Sequence, residues 1–153
     1  GYFNFSMAEA TGIVGIVLPE AGSFLPLVSR ICNAVVTGNS CIVICSESSP
    51  LPALTFAEVI ATSDFPSGVI NILTGRKQEL VPHLAGHFDV NAIDFCEDNN
   101  DLRKEVKLLC SNNVKRFHSI DKQWEWKSDA MNENIYEPGK FVEIKTVWHT
   151  MGM

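Results

Sequence analysis

Two pairs of side chains in this sequence have a spacing that could support chemistry. His83 and His87 are four residues apart, which would place two imidazoles on one face of a helix as metal ligands. Gly86 interrupts that stretch and the glutamate of an H-E-x-x-H motif is missing, so we predict no metal site. Cys41 and Cys45 have the same parity on a predicted strand, and burial against flanking helices explains both thiols.

A third motif, Trp124-Glu125-Trp126 between Lys122 and Lys127, could stack on nucleic-acid bases. The chain has a net charge of -6, and it contains no run of basic residues that could follow a phosphate backbone. We therefore expect the two tryptophans to anchor a loop or to contact a protein. Neither nucleic acid nor an anionic membrane is an expected partner.

The cysteines and the start of the chain indicate in which compartment the protein lies and whether it is part of a longer protein. The five cysteines are odd in number, show no C-x-x-C spacing and lie mostly in apolar runs, as the reduced thiols of a cytoplasmic protein do. No apolar stretch approaches the roughly 18 residues that a membrane span needs. The chain begins with Gly1 and has no secretory signal pattern, so we expect the C-terminal piece of a longer cytoplasmic protein.

Alternating apolar runs and helical segments predict an α/β fold. Four short runs rich in β-branched residues are typical of strands buried on both faces, namely 14–18, 41–45, 69–73 and 92–95. Helical periodicity fills the intervals at 24–36, 50–62 and 79–85. Right-handed crossovers between such strands give a Rossmann-like parallel sheet flanked by helices.

The remainder of the chain predicts one more helix and strand, a loop and a β tail. Asn99 or Asn100 would cap a helix over 101–110, and 113–118 would return as a strand. Residues 121–140 are polar and irregular, and Phe141 to Trp148 alternate apolar and polar side chains as a half-exposed strand does. We therefore divide the chain into a Rossmann-like domain at 1–120, a linker or loop at 121–140 and a terminal strand at 141–153.

Five segments in a fixed order resemble the coenzyme-binding domain of the aldehyde dehydrogenase superfamily. They are GIVGIVLP at 12–19, GNS at 38–40, SESSPL at 46–51, FPSGVINILTG at 65–75 and HFDV at 87–90. The ending KTVWHTMG at 145–152 is similar to the extreme C-terminal tail of that family. The chain most closely resembles the second, non-catalytic module of the tandem family-sixteen aldehyde dehydrogenases. The resemblance implies an NAD(P)-type coenzyme domain.

The residues at the family's coenzyme and oxyanion motifs are altered. Active relatives follow the first strand with Pro-Trp-Asn, whose asparagine amide stabilises an oxyanion, whereas Pro19 is followed by Glu20 here. In the Lys-Pro-Ser-Glu motif that clamps a ribose, Glu47 is kept but Ile44 replaces the lysine. Glu47 is thus the one coenzyme-binding residue that the resemblance assigns, and it is vestigial.

The phosphate-binding and catalytic motifs are altered or missing as well. Where the family has Phe-Thr-Gly-Ser at a helix N-terminus, this chain has Phe95-Cys96-Glu97-Asp98, and we expect internal capping in place of coenzyme phosphate. The family's cysteine nucleophile and glutamate base have no counterpart. Cys110 is the last candidate nucleophile, and its place on the apolar face of a predicted helix favours a buried thiol. We predict no catalytic residue.

Three functions follow from the resemblance and its departures. The first is a catalytically incompetent pseudo-domain, without a cofactor of its own, that acts in assembly or protein interaction within a longer protein. The second is part of an active NAD(P)-dependent aldehyde oxidoreductase whose catalytic residues lie in another module. The third is a module that senses NAD(H) through Glu47. In the family the terminal strand contributes to subunit assembly, so 141–148 would pair with another subunit or module, or else within this chain.

Overall fold

A computed structural model describes residues 1–22, 24–120 and 124–151. Its strands are β1 (Tyr2–Ala10), β2 (Ile13–Val17), β3 (Ser40–Ile44), β4 (Ile70–Leu73), β5 (Ala92–Phe95), β6 (Arg116–Ser119) and β7 (Val142–Thr150). Its helices are α1 (Phe24–Val35), α2 (Leu51–Ala61), α3 (Lys77–Gly86), α4 (Asn100–Ser111), α5 (Asp129–Asn132) and α6 (Tyr136–Gly139). The described helices include none long and apolar enough to cross a bilayer.

The main sheet is parallel throughout and has the strand order β4-β3-β2-β5-β6. The chain builds outward from β2 to β4, then returns to the other side of β2 for β5 and β6. This order confirms the Rossmann-like sheet that the alternating pattern predicts. It also makes the carboxyl ends of β2 and β5 the point where the winding reverses, which is where open α/β sheets bind ligands.

Helices bury both faces of this sheet. On one face α1 and α2 pack Leu27, Ile31 and Ala53 against alternate strand residues, and on the other face α3 and α4 pack a second apolar layer. Gly15 in β2 allows α3 to approach closely, because a Cβ there would lie 2.7 Å from Ile93 Cδ1 and 2.9 Å from a Leu84 methyl carbon. Burial on both faces explains why the strands read as continuous apolar runs.

The terminal strand that the alternating pattern predicts is present as β7, and its partner is β1 of the same chain. The two form an antiparallel ribbon of nine pairs, from Tyr2 opposite Thr150 to Ala10 opposite Val142. One edge of β7 is therefore occupied within the chain, which was one of the two alternatives. Strand β1 was not predicted, although Phe3, Phe5 and Met7 alternate with small or polar residues.

Asn39 joins both strands of the ribbon to the main sheet. Its side-chain oxygen accepts from the Gly12 N–H at 2.8 Å, just after β1. Its amide nitrogen donates to the Phe141 carbonyl at 2.9 Å, just before β7. The Thr11 N–H donates to the same carbonyl at 3.2 Å. The ribbon thus leaves the sheet from a fixed root.

The described part of the stretch expected as a loop, 124–140, contains the two short helices α5 and α6. Glu137 of α6 is 5% exposed, and the Phe141 side chain that follows is completely buried among α1 and sheet residues. These contacts attach the stretch to the α1 face of the sheet. The division of the chain into three parts remains a prediction.

Candidate functional site at the carboxyl edge of the sheet

An open cleft of about 510 Å³ lies beside the point where the strand order reverses. It is bordered by the segments that follow β2, β3 and β5 and by the first residues of α3 and α4. Its polar lining residues include Glu20, Glu47, Ser48, Lys77, Glu97 and Asn99. Three of the altered motifs therefore converge in one cleft, because carboxyl ends of parallel strands share one edge of the sheet.

Glu20 turns toward the cleft and binds the loop that follows β3. Its carboxylate accepts hydrogen bonds from the Ser46 and Ser48 hydroxyls, at 2.9 and 2.8 Å, and from the backbone N–H groups of Glu47 and Ser48, at 3.1 and 3.0 Å. It also pairs with the Lys77 ammonium. Burial acts to raise the pKa of Glu20, but Lys77 and the Ser48 and Glu47 donors outweigh burial and hold the pKa well below its usual range. The residue in place of the oxyanion donor is therefore a stabilised carboxylate.

Lys77 is the cleft residue that the sequence analysis missed. Its side chain is nearly buried, and its ammonium donates to the Leu18 carbonyl at 2.7 Å and to the carboxylates of Glu20 and Glu97. The helical pattern led to a predicted start at Glu79, so Lys77 was outside that helix. The available signal was a lysine just after Gly75, where a loop leaves a parallel strand at the edge that carries ligands.

Glu47 lies in the cleft as the resemblance implies, and it has a partner. Its carboxylate accepts the backbone N–H of Lys77 at the N-terminus of α3. A carboxylate at this position satisfies an amide that has no partner within the helix and interacts favourably with the positive end of the helix dipole. Its predicted coenzyme role therefore has to compete with a helix-capping role.

The N-terminus of α4 is capped from within the chain. Asn99 accepts from the N–H groups of Asp101 and Leu102, both at 3.1 Å, which confirms the predicted cap. Arg103 donates to the Glu97 carbonyl at 2.9 Å and holds the preceding turn. Backbone amides that would otherwise face an anion are thus already hydrogen-bonded.

The charges of the cleft are unsuited to a phosphate group. Three carboxylates, those of Glu20, Glu47 and Glu97, face one ammonium, that of Lys77. Lys77 is already paired with two of the three. A dinucleotide pyrophosphate entering here would meet a net negative charge and would have to displace an existing ion pair. The residues present do not fit the phosphates of NAD(P).

Four of the five cysteine thiols are unsuited to nucleophilic attack. Four of the five are buried, and Cys32 on α1 is exposed. Burial raises the pKa of all four buried thiols, that of Cys41 to about 12, so they remain protonated at neutral pH. Cys110 lies on the buried face of α4, as the helical pattern predicts for a core thiol.

The remaining sequence motifs lie apart from the cleft. His83 is in the last turn of α3 and His87 ends that helix, and the described residues contain no group of three metal-ligating side chains. The ring centroids of Trp124 and Trp126 lie 6.0 Å apart with the ring planes tilted by 59°, and both rings line a smaller cavity of about 150 Å³ with Cys96 and other residues of the carboxyl edge. Lys122, which flanks them in the sequence, lies outside the described residues.

Comparison with known proteins agrees with this fold. The family model of the aldehyde dehydrogenases matches residues 1–119, more than half of the chain. The chain belongs to the aldehyde dehydrogenase family. It is 33% identical over 105 residues to a hydroxyisobutyraldehyde dehydrogenase of Mycolicibacterium austroafricanum, covering 69% of this chain and 21% of that protein. It is 31% identical over 115 residues to the putative aldehyde dehydrogenase DhaS of Bacillus subtilis, covering 75% of this chain and 23% of that protein.

Solved aldehyde dehydrogenase structures show the same relationship. An aldehyde dehydrogenase from Bartonella henselae superimposes with a TM-score of 0.71 at 27% identity, over 76% of this chain and 24% of that one. A betaine aldehyde dehydrogenase from Staphylococcus aureus, solved in complex with NAD+, gives 0.73 at 25% identity over 77% of this chain and 24% of that one. This aldehyde dehydrogenase family chain therefore spans less than a quarter of the length of these relatives.

Proposed function

We propose that this chain is a pseudo-domain of the aldehyde dehydrogenase family that does not bind coenzyme and acts in assembly or protein interaction within a longer protein. The observation that carries this proposal is the Lys77 ammonium held between Glu20 and Glu97 where a coenzyme phosphate would need positive charge. We further propose that it corresponds to the second, non-catalytic module of the tandem family-sixteen enzymes. The buried, protonated thiols support a cytoplasmic location.

The first test is calorimetric titration of NAD+ and of NADH into the chain, with an intact aldehyde dehydrogenase as positive control. We expect no heat and no thermal shift up to millimolar ligand. A variant with Glu20→Asn and Glu97→Gly removes two carboxylates from the cleft and should bind NAD+ better than the wild type does. Micromolar binding by the wild type would instead support the NAD(H)-sensing function and would overturn the pseudo-domain proposal.

A second candidate function is part of an active NAD(P)-dependent aldehyde oxidoreductase. It is favoured by one specific observation, the chain's coverage of only 21% and 23% of two dehydrogenase relatives. The chemistry would then belong to residues outside this chain. The discriminating test is whether a longer native protein contains the family's cysteine nucleophile and oxidises aldehydes when that cysteine is intact but not when it is replaced by alanine.

The assembly role is assigned to the ribbon of β1 and β7. In this two-stranded sheet each strand has one edge without a neighbouring strand among the described residues. All nine residues of β1 are exposed, including the aromatic side chains of Tyr2, Phe3 and Phe5. An isolated two-stranded hairpin is marginally stable in water, and exposed edges with apolar side chains favour pairing with another sheet. A second copy or another module of the same protein would supply that sheet.

A further inference from the structure

A completely buried arginine links the sheet to the segment that leads into the ribbon. Arg30 of α1 is 0% exposed. Its Nε donates to the Asp94 carboxylate of β5 at 2.6 Å, and its Nη1 donates to the Glu137 carboxylate of α6 at 2.8 Å. Lys140 binds the other oxygen of Glu137 at 2.7 Å. These four residues form the Arg30 cluster.

Aromatic side chains surround the Arg30 cluster. The guanidinium carbon lies 6.0 Å from the Trp124 ring centroid and 5.8 Å from that of Phe141, within the range of cation–π attraction. The Lys140 ammonium lies 5.9 Å from the Trp124 centroid. Phe141 is the residue directly before β7. The cluster therefore contacts both the start and the end of the described stretch from Trp124 to Phe141.

The cluster is better suited to fixing a position than to adding net stability. Arg30 Nη2 and Asp94 Oδ1 are buried and have no hydrogen-bond partner. Removing charges from water is costly, and incomplete pairing leaves part of that cost unrecovered. A buried charge pair does, however, select one arrangement strongly, because a shifted arrangement would leave a charge unpaired in the interior.

Glu137 and Lys140 belong to the segment from Trp124 to Phe141, whereas Arg30 and Asp94 lie in the framework of α1 and β5. We propose that the Arg30 cluster is a lock that holds the segment from Trp124 to Phe141 against the sheet and thereby fixes the root of β7. This inference rests on the assembly role proposed for the ribbon: the lock holds the ribbon in one orientation relative to the sheet. Opening it would release the root while the sheet stays folded.

Glu137→Ala tests the lock, because it removes the bond to α6 while Arg30 keeps its bond to Asp94 within the framework. The matched control is Glu133→Ala, an exposed glutamate at the end of α5 in the same segment. Hydrogen exchange would be measured at the Lys140 and Phe141 amides, which bond to Glu137 and Pro138 carbonyls, and at the Cys96 amide, which bonds to Val17. We expect exchange at 140 and 141 to accelerate at least about tenfold in Glu137→Ala and to stay unchanged in the control.

Two outcomes would overturn the lock. One is unchanged exchange at the Lys140 and Phe141 amides in Glu137→Ala. The other is acceleration that matches the change at the Cys96 amide, because the effect would then be global unfolding. If Glu137→Ala does not fold, Glu137→Gln keeps a weaker, neutral hydrogen bond to Arg30 and should give a smaller acceleration in the same direction.

A separate measurement connects the lock to assembly. Sedimentation of the same variants should show weaker self-association in Glu137→Ala, by about fivefold or more, and no change in Glu133→Ala. Unchanged association in a variant whose segment has loosened would overturn the link between lock and ribbon. A wild-type chain that stays monomeric at all concentrations would overturn self-assembly itself, and the exchange rates would still decide the lock.

Discussion

The arrangement of charges in the cleft depends on single residues, above all on Lys77. Glu20 and Glu97 both pair with its ammonium, which also donates to the Leu18 carbonyl. The sequence correctly drew attention to the two glutamates, because they replace motif residues. Lys77 was not predicted, because its position shortly after a parallel strand is a weak signal that does not show whether the fold buries the side chain.

We expect Lys77→Met to destabilise the protein strongly. The substitution leaves the Glu97 carboxylate, whose side chain is 13% exposed, without its cationic partner. Breaking a largely buried pair by removing one member costs about 3 kcal/mol in free energy of unfolding. Urea denaturation would measure the change.

The matched control is Lys104→Met, which breaks the ion pair of Lys104 with Asp101, whose side chains are 79% and 95% exposed. This substitution should change the free energy of unfolding very little. Equal effects of the two variants would contradict the arrangement of charges described for the cleft.

A second residue-scale prediction concerns pH and His118 of β6. Its ring lies edge-on to Phe141 at 5.7 Å, and its Nε2 is buried without a hydrogen-bond partner. Burial lowers the pKa of His118, against partial opposition from the Asp94 charge and the Lys140 backbone. The unfolded chain therefore takes up a proton at higher pH than the folded protein does. Stability should be fully present above about pH 6.5 and should fall as the pH drops below that value.

Chemical denaturation at pH 7.5 and pH 5.5 would test this prediction. His118→Gln should show a smaller loss of unfolding free energy between the two pH values than the wild type. His83→Gln, at an exposed position on α3, should keep the wild-type loss. If both variants behave like the wild type, other groups cause the pH dependence.

Elements were the most predictable part of the molecule. The four apolar runs became β2 to β5, and the helical segments between them became α1 to α3 with ends within about two residues of expectation. These predictions succeeded because strands that are buried on both faces require a continuous apolar run, which is easily recognised in the local sequence. Strand β1 was not predicted because all nine of its residues are exposed. Its alternation of Phe3, Phe5 and Met7 with other residues is a weaker signal than the continuous apolar runs of the buried strands.

The cap of α4 gives a prediction at this scale. Asn99→Ala removes the acceptor for two backbone N–H groups and should lower the unfolding free energy by about 1 kcal/mol. Asn112→Ala is the control at the other end of the same helix, where the backbone N–H makes the capping bond to Leu109. Thermal or urea unfolding would measure both. A loss of similar size at Asn112 would show that general asparagine replacement, and not the cap, is responsible.

The whole molecule consists of a well-packed α/β body and a ribbon that contacts this body at its root, where Arg116 of β6 donates to the Val142 carbonyl and pairs with Glu143. The fold of the α/β body can be predicted from the sequence, because its buried strands appear as continuous apolar runs. The direction of the ribbon cannot, because it depends on single hydrogen bonds at the root, such as those of Asn39 to Gly12 and Phe141. These bonds join residues that are 27 and 102 positions apart, and no periodic pattern in the sequence predicts them.

The prediction at this scale is that apolar side chains on one ribbon face drive association. Phe3, Phe5 and Met7 share a face with Val147, which pairs with Phe5. Replacing Phe3 and Phe5 with serine should weaken self-association by about tenfold or more, because two large apolar groups lose burial in the complex. Light scattering across a concentration series would measure it. Val36→Ser, at an exposed apolar residue far from the ribbon in sequence, should leave association unchanged.

The pairing of β1 with β7 also brings the two ends of the described chain together. The Met151 N–H donates to the Gly1 carbonyl at 3.0 Å, at the end of the ribbon away from Asn39. Sequences attached at either end would emerge side by side at one point of the surface. The ends could accordingly be joined by a short glycine linker and the chain reopened in a surface loop, giving a circular permutant with the same sheet.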